Sequence, residues 1–195
     1  SDADFHTTVS KMADIPRDQA KTINLGLFYG MGKAKLQAEL GVSKDKAEDL
    51  FAIYHQRVPF VKTLMKSVSN RAQQRGQIRT LLGRLCRFHL WEPNRFGINK
   101  ALPFEQAVQE HGQGNIRRAY TYKALNKLIQ GSAADMTKKS MLDLYKEGII
   151  AHIQIHDELD LSVESPEQAK KVVEIMENAV KLDVPNKVDY ESGKN

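Results

Sequence analysis

The stretch RDQAKTINLGLFYG, residues Arg17–Gly30, decides the first part of the predicted fold. Asp14 and Pro16 before it are typical of a helix start, and Gly30 is typical of a helix end. The apolar residues between them recur at helical spacing. Gly26 and Gly30 have no side chain and therefore leave room for the close approach of a ligand.

Four residues of this predicted helix recur at every fourth position: Arg17, Lys21, Leu25 and Tyr29. Each step of four advances about 40° around the helix, so the four share one face that is about 18 Å long. The cations lie near the positive helix N-terminus, where phosphates bind well, and the ring lies where a base would follow. The face therefore fits a nucleoside triphosphate. An ordinary surface helix with solvated cations has the same spacing and remains the alternative.

A β-hairpin is predicted near the end of the sequence. Apolar residues alternate over Ile149–Ile155 and again over Leu159–Val163, which is the period of a strand. The polar break between the two runs is His156, Asp157 and Glu158.

The predicted hairpin turn is a candidate metal site. The adjacent carboxylates of Asp157 and Glu158 repel each other, and a cation that prefers oxygen ligands, such as Mg²⁺, relieves that repulsion. A site with two metals needs carboxylates from more than one chain segment. Asp160 is a weaker candidate, because alternation places it on the face opposite Leu159. An acidic turn without a metal fits the pattern equally well.

A long helix is predicted over residues 116–146, with Asn126 and Gln130 four apart on it. Their amides could hydrogen-bond a base edge or a template backbone. The small residues Gly131–Ala134 would let another surface approach, although tight packing through the alanines is as good an interpretation. Three cations precede the pair: Arg117, Arg118 and Lys123.

The remaining sequence predicts a mostly helical chain. Ser43 and Pro59 begin further helices, the second of which ends at Gly76. Ile78–Leu81 is predicted as a short strand, and Phe88–Gly114 as an irregular excursion with a short helix at Phe104–Glu110. Ser165, Pro166 and Gln168 are typical of the start of a final helix.

Composition narrows the class of protein. The chain has 195 residues, 41% of them hydrophobic, a net charge of +5 and a pI near 9.2. The hydrophobic fraction is high enough for a packed core, and the positive net charge favours an anionic partner such as nucleic acid. Cys86 is the only cysteine, so no internal disulfide and no cysteine-rich zinc site can form. The sequence shows neither an apolar run long enough for a membrane span nor a signal peptide, and we expect a cytoplasmic protein without a membrane partner.

Taken together, these segments resemble the family A DNA polymerases, the DNA polymerase I-like enzymes of bacteria and phages. RDQAKTINLGLFYG resembles the nucleotide-binding fingers helix of that family, and QIHDEL at Gln154–Leu159 resembles its palm hairpin. NKLIQGSAAD at Asn126–Asp135 resembles the helix that touches the nascent base pair, and Asp4-Phe5-His6 resembles a phosphate-binding segment. The long excursion indicates a phage-type member.

The resemblance implies an α+β, mostly helical fold. Residues 1–125 would form the fingers subdomain, with an insertion at about 88–114, and residues 126–195 would form the C-terminal portion of the palm, which contains the antiparallel hairpin. The implied reaction is template-directed DNA synthesis, in which a primer 3′ hydroxyl attacks the α-phosphate of a dNTP and releases pyrophosphate. Primer–template DNA and dNTPs would be the partners, and Mg²⁺ would be the cofactor of a two-metal site.

The resemblance also implies roles for individual residues. The residues expected to bind the dNTP are His6, Arg17, Lys21, Leu25 and Tyr29. The residues expected to take part in catalysis are Asp157, which would hold the metal, Glu158 and Lys21. The residues expected to contact DNA are Asn126, Gln130, His156 and Arg84.

Two residues depart from the family pattern. Leu25 stands where the family usually has Phe or Tyr, which implies altered discrimination against dideoxynucleotides and slower incorporation. Tyr122 stands where bacterial members have Arg, so one DNA contact is not carried over.

The family's other catalytic aspartate lies in an Asp-x-Ser-Gln-x-Glu string, and this sequence has no such string. We therefore expect the 195 residues to be inactive alone and to need a polypeptide that carries the thumb and the first palm strand. Two alternatives stay open. One is a catalytically inactive nucleic-acid-binding module, and the other is a Mg²⁺-dependent nuclease built on the acidic turn.

Overall fold

A computed structural model describes residues 7, 10–11, 14–95, 97 and 99–193, and these form two compact units. Unit 1 is Ser1–Ile78 with Leu85–Lys127, and unit 2 is Arg79–Arg84 with Leu128–Asn195. The predicted α+β, mostly helical class is confirmed. The short segment Arg79–Arg84 belongs to unit 2, a membership that the sequence did not predict.

The helices of the described residues are α1 Arg17–Phe28, α2 Lys33–Leu40, α3 Lys44–Arg57, α4 Pro59–Arg75, α5 Phe104–His111, α6 Ala124–Lys146 and α7 Pro166–Asn178. The strands are β1 Gln77–Arg79, β2 Leu85–Arg87, β3 Trp91–Pro93, β4 Ile116–Arg118, β5 Ile153–Ile155 and β6 Glu158–Asp160. They form two-stranded sheets, β1 with β2, β3 with β4 and β5 with β6. Short 3-10 turns cover Gln113–Asn115 and Thr121–Lys123.

Local sequence signals explain several helix ends. The Ser43 hydroxyl accepts a hydrogen bond from the Lys46 amide at 3.3 Å and caps α3. Gly76 ends α4 with φ of 67°, a left-handed conformation that costs glycine little. The Ser165 hydroxyl accepts from the Gln168 amide at 3.2 Å and caps α7.

In unit 1, helices α1, α2 and α3 pack around one buried cluster of Ala20, Ile23, Leu27, Leu36 and Tyr54. The cluster places the inner face of α1 against its neighbours and leaves the opposite face outward. At its edge, the buried Tyr54 hydroxyl donates a hydrogen bond to Oδ1 of Asn24, at 3.1 Å. Asn24 lies on α1 between Lys21 and Leu25, so this bond fixes how α1 is turned about its axis.

Tyr54→Phe is expected to lower the free energy of unfolding by about 1 kcal/mol, because it removes the hydrogen bond that Asn24 accepts in a buried place. Burial also raises the pKa of the Tyr54 hydroxyl to about 12, so the group remains a donor at neutral pH. Urea unfolding followed by circular dichroism measures the effect. The matched control is Tyr145→Phe on an exposed ring, and an equal, negligible change in both variants would contradict the prediction.

The structure corrects four sequence predictions. Helix α2 was not predicted, and the strand predicted to reach Leu81 ends at Arg79. The long helix begins at Ala124 instead of residue 116, because residues 116–118 form β4 and pair with β3. The stretch 88–114 is less irregular than predicted, because residues 91–93 form β3. Within it, the predicted short helix at 104–110 is confirmed as α5.

In unit 2, Leu144 of α6, Ile149 and Val172 of α7 form the buried cluster. Leu159 and Leu161 pack against it from the hairpin side, together with two residues of α7, Ile175 and Met176. The hairpin β5–β6 is therefore anchored through the Leu159 side of β6. Within the described residues, no helix combines the length and the apolarity that a membrane span would need.

Candidate functional site

The outward face of α1 carries the predicted ligand-binding residues. Arg17, Lys21 and Leu25 are exposed, and Tyr29 is half-buried at the C-terminal cap of the helix. The buried residues of α1 lie on its other side: Ala20, Ile23, Asn24 and Leu27. Lys21 has no acidic partner among the described residues, so its ammonium group can meet an anion without first breaking an ion pair.

Neither glycine of this segment has open space beside it. Gly30 has φ of 87°, which ends α1 and favours glycine there. The space beside Gly26 is not open in this structure, because a Cβ there would meet the Met31 methyl carbon at 2.1 Å. A Cβ on Gly30 would likewise meet Met65 Sδ at 2.8 Å. The prediction of open room is therefore wrong at both glycines, although the far end of a methionine side chain can move at low cost.

The acidic hairpin turn is shorter than the sequence predicted. Ile155 pairs with Glu158, so only His156 and Asp157 lie between the strands, and Glu158 is the first residue of β6. His156 has φ of 55°, in the left-handed region that is unusual for a residue with a side chain. The Gln154 amide donates to the His156 carbonyl oxygen at 2.7 Å and supports this conformation. The result is an exposed Asp157 at the tip of the hairpin.

The two faces of the hairpin differ in chemistry. Leu159 lies on the face that packs on the unit 2 core. Residues directly opposite in an antiparallel pair share a face, so Ile153 with Asp160, and Ile155 with Glu158, lie on the other face. That face is exposed, with 55% of Ile153 and 50% of Ile155 accessible to solvent. The expectation that Asp160 points away from Leu159 agrees with this register.

The donor chemistry at the hairpin tip suits a hard divalent cation, because Asp157 and Glu158 offer adjacent, exposed carboxylate oxygens. A complete protein cage is not present in the described part of the chain, where no three His, Cys, Asp or Glu side chains are grouped closely enough to hold a metal. Asp157 and Glu158 therefore fit part of a carboxylate site for a divalent cation.

An ion pair in unit 2 between the buried Asp135 and the half-exposed Arg84 was not predicted from the sequence. Arg84 donates from Nε to Oδ1 of Asp135 at 2.7 Å and from Nη2 to the Gly131 carbonyl oxygen at 2.8 Å. The Thr80 hydroxyl donates to the other oxygen of Asp135, and the Arg84 amide donates to the Thr80 hydroxyl at 3.0 Å. The amide of Leu81 donates to Ser132 Oγ at 2.9 Å. Together these bonds fasten the turn Thr80–Arg84 onto α6.

The small residues predicted after Gln130 allow this approach. A Cβ on Gly131 would lie 2.8 Å from the Thr80 methyl carbon and 3.4 Å from Arg84 Nη2. The surface that comes close to α6 at this point is thus the turn Thr80–Arg84 of the same chain. The sequence held one signal for this ion pair. Asp135 follows Leu128 by seven residues and so falls on the apolar side of the helix, where a carboxylate needs hydrogen-bonding partners.

The charge of Asp135 is stabilised in the folded state. Burial alone would raise the pKa of this carboxyl, but the hydrogen bonds from Thr80 and Arg84 and the charge of Arg84 outweigh burial and lower it. A carboxyl with a lowered folded pKa adds stability that is fully present above its unfolded pKa, near 3.8. That stability is lost as the pH falls through the folded pKa, so the loss occurs below about pH 4.

Asp135→Asn is expected to destabilise unit 2 by about 2 kcal/mol at pH 7, because Arg84 loses its charged partner while remaining half-exposed to water. The variant should also lose less stability than the original protein between pH 5 and pH 3. Urea unfolding at a series of pH values measures both effects. Asp189→Asn, on a carboxyl that is 95% exposed, is the control and should change neither. A parallel pH dependence in all three proteins would contradict the prediction.

The residues expected to contact DNA have different surroundings. His156 and Gln130 are exposed, and Asn126 is half-buried on α6. Arg84 uses two of its five N–H groups in the bonds to Asp135 and Gly131, which leaves its Nη1 side for another acceptor. His6 lies outside the described residues.

The cations predicted to precede Asn126 on the same helix are not on it. Arg117 lies on β4 and donates to a carboxylate oxygen of Glu92 at 2.9 Å. Arg118 donates to the Phe88 carbonyl oxygen at 2.9 Å and lies over the Trp91 ring at 4.5 Å. Both arginines therefore form contacts inside unit 1. Of the three cations, only Lys123 has a charged group that remains available to an anionic ligand.

Comparison with known proteins gives a consistent result. The sequence model of the family described as DNA polymerase family A matches residues 2–195. The chain is 32% identical to the DNA-directed DNA polymerase of Pseudomonas phage M6 over 225 residues, which cover 98% of this chain and 31% of the phage protein. It is 34% identical to DNA polymerase I of Bacillus caldotenax over 198 residues, covering 97% of this chain and 20% of that protein.

A solved structure is similar over most of the chain. It is the POL domain of Pol1 from M. smegmatis in complex with DNA primer-template and dNTP. The TM-score is 0.70 at 30% sequence identity, and the match covers 93% of this chain and 32% of that one. The 195 residues thus span a third or less of the length of these relatives.

Proposed function

Because this chain belongs to DNA polymerase family A, we propose that it takes part in template-directed DNA synthesis. The reaction joins the primer 3′ oxygen to the α-phosphorus of a dNTP, breaks the bond to the β-phosphate oxygen and releases pyrophosphate and the hydroxyl proton. The observation that carries the proposal is the outward face of α1, where the cations and the aromatic residue of the family motif are presented in order on one rigid helix.

The α1 face binds the incoming dNTP in this proposal. Arg17 and Lys21, near the positive end of the helix, contact the phosphates, and His6 adds a further phosphate contact. Leu25 lies at the sugar and Tyr29 at the base. Asp157 and Glu158 serve catalysis at the hairpin tip, where Asp157 would hold Mg²⁺. When bound, such ions neutralise charge on the attacking and leaving oxygens.

A second carboxylate for this metal site comes, in our proposal, from a polypeptide segment that also carries the thumb and the first palm strand. The support is the exposed face of the hairpin, where Ile153 and Ile155 are accessible although their isoleucine side chains are typical of a covered strand. In the described residues, β5 pairs with β6 alone, so its other edge is available to a further strand. A segment of the same protein and a segment of a separate polypeptide would complete the same site.

Primer–template DNA is the proposed macromolecular partner. The net charge of +5 favours a polyanion, and the Pol1 structure similar to this chain was solved with DNA primer-template and dNTP. We assign Asn126, Gln130, His156 and Arg84 to contacts with the DNA. Arg84 would use Nη1 for this contact, since its other two nitrogens hold Asp135 and Gly131.

Complementation tests the proposal. The 195-residue chain is mixed with a separately prepared polypeptide that carries the thumb and the missing palm aspartate, and extension of a labelled primer is followed with Mg²⁺ and dNTPs. Template-directed extension that neither polypeptide gives alone supports the proposal. DNA binding without extension would favour an inactive nucleic-acid-binding module. Hydrolysis of DNA by the chain alone would favour a nuclease.

A further inference from the structure

Unit 1 contains a long stretch without acidic residues. From His111 to Lys127, where unit 1 ends, the sequence has no Asp or Glu, while it has two arginines and two lysines. The arginines are engaged inside unit 1, as described above. Lys123 and Lys127 form no ion pair with any described residue, so their positive charge is not neutralised locally. This stretch therefore attracts anions.

Two exposed tyrosines precede Lys123 at the 3-10 turn Thr121–Lys123, with Tyr120 as the N-cap of the turn and Tyr122 within it. Tyr120 is 40% exposed and Tyr122 is 63% exposed. The Lys123 ammonium nitrogen lies 5.2 Å from the centre of the Tyr120 ring and 5.6 Å from the centre of the Tyr122 ring. The turn thus presents two aromatic rings and a cation together, which is the combination that binds single-stranded nucleic acid by base stacking and phosphate contact.

The backbone of the turn is strained at one of the two rings. Tyr120 has φ of 61°, a left-handed conformation that costs an aromatic residue roughly 1–2 kcal/mol. Glycine or asparagine would adopt it more easily. The fold nevertheless holds the conformation, through a 2.8 Å hydrogen bond from the Ala119 amide to the Leu90 carbonyl oxygen and through the buried Ala119 and Ala124. Strain that the fold holds at a partly exposed aromatic residue is typical of a binding site.

We propose that Tyr120, Tyr122 and Lys123 form a stacking site for unpaired bases of single-stranded DNA, with Lys123 and Lys127 close to the phosphates. Duplex DNA is a poor occupant, because the faces of its bases are already stacked on one another. The inference rests on the proposed function only in naming DNA as the nucleic acid. In synthesis, the site would hold single-stranded template that has not yet been copied.

The test is direct binding, without dNTPs, Mg²⁺ or a complementing polypeptide. Fluorescence anisotropy follows the titration of a labelled thymidine oligonucleotide of about twelve nucleotides with the full 195-residue chain. Tyr122→Ala is expected to weaken binding about tenfold, and Tyr122→Trp should preserve it. Tyr120→Gly should weaken binding by a similar factor while leaving thermal stability unchanged or raised, since it relieves the strain. Lys123→Gln should reduce the slope of log K against log salt concentration by about one, measured between about 50 and 200 mM salt.

A matched control separates stacking from general effects. Tyr145→Ala removes an equally exposed tyrosine, 67% accessible, and should leave binding unchanged. The inference is overturned if the original chain does not bind the oligonucleotide at low salt, or if Tyr122→Ala and Tyr120→Gly bind it normally. It is also overturned if both variants lose affinity for duplex DNA to the same extent. Because this assay requires no synthesis, its failure and a failure of complementation are separate results.

Discussion

Asp157→Asn is expected to abolish detectable primer extension by the complemented protein, with a loss of about a thousandfold or more. The variant keeps the size of the side chain but removes the negative charge at the hairpin tip. Stabilisation of transition-state charge by a bound metal is worth several kcal/mol, and each 1.4 kcal/mol is about a factor of ten in rate. The exposed Asp157 has little part in folding, so the stability of the hairpin should not change.

The control for this experiment lies in the same hairpin. Asp160→Asn removes the same charge three residues away, on the exposed face of β6. The backbone carbonyl oxygen of Asp160 accepts a hydrogen bond from the His152 amide at 2.8 Å, and the substitution leaves that bond in place. We expect its extension rate to stay within a few-fold of the original. Extension by Asp157→Asn at the original rate, or equal losses in both variants, would argue against Asp157 as the metal ligand.

Helices with strong end signals could be predicted from the sequence. Ser43, Gly76 and Ser165 mark ends that the structure confirms, because capping depends on residues within one turn of each other. Helix α2 ends at the left-handed Gly41, but no side chain caps its start. It has a single buried residue, Leu36, which joins the cluster formed with α1 and α3, so tertiary packing stabilises a helix that the local pattern does not reveal.

The start of α6 shows why long-range pairing defeats local prediction. Residues 116–118 have a sequence that suits a helix, but Arg117 lies opposite Glu92 in the β3–β4 pair and forms an ion pair with it. That partner is 25 residues away in the sequence. The left-handed backbone of Tyr120 then separates β4 from the helix, and nothing in the local sequence announces it, since glycine or asparagine is usual at such a position.

The candidate site was predictable where it depends on local periodicity and not where it depends on contacts between distant residues. Alternating apolar residues located the hairpin, but its pairing register shortened the turn and placed Glu158 in a strand. Spacing of four placed Lys21 and its neighbours on one exposed face of α1. The bond of Asp135 to Thr80, 55 residues earlier, has no local signature beyond the position of a carboxylate on the apolar side of α6.

Lys21→Ala is expected to lower kcat/KM for dNTP incorporation in the complemented protein by about a hundredfold to a thousandfold. Lys21 is exposed on α1, one turn from Arg17, and has no ion-pair partner among the described residues, so its full charge can act on a bound phosphate. A preorganised donor directed at charge that develops in the transition state contributes on this scale. Because alanine is the best helix former, the substitution should leave α1 intact.

The division of this loss between kcat and KM decides the role of Lys21. A lower kcat would assign it to catalysis, whereas a higher KM for dNTP alone would assign it to binding in the ground state. Lys35→Ala is the matched control, since it removes an exposed lysine from the neighbouring helix α2 and should change neither constant. Lys21→Arg should keep much of the activity, because it keeps the charge on the same face. Incorporation by Lys21→Ala at the rate of the Lys35→Ala control would mean that the outward face of α1 does not bind the triphosphate.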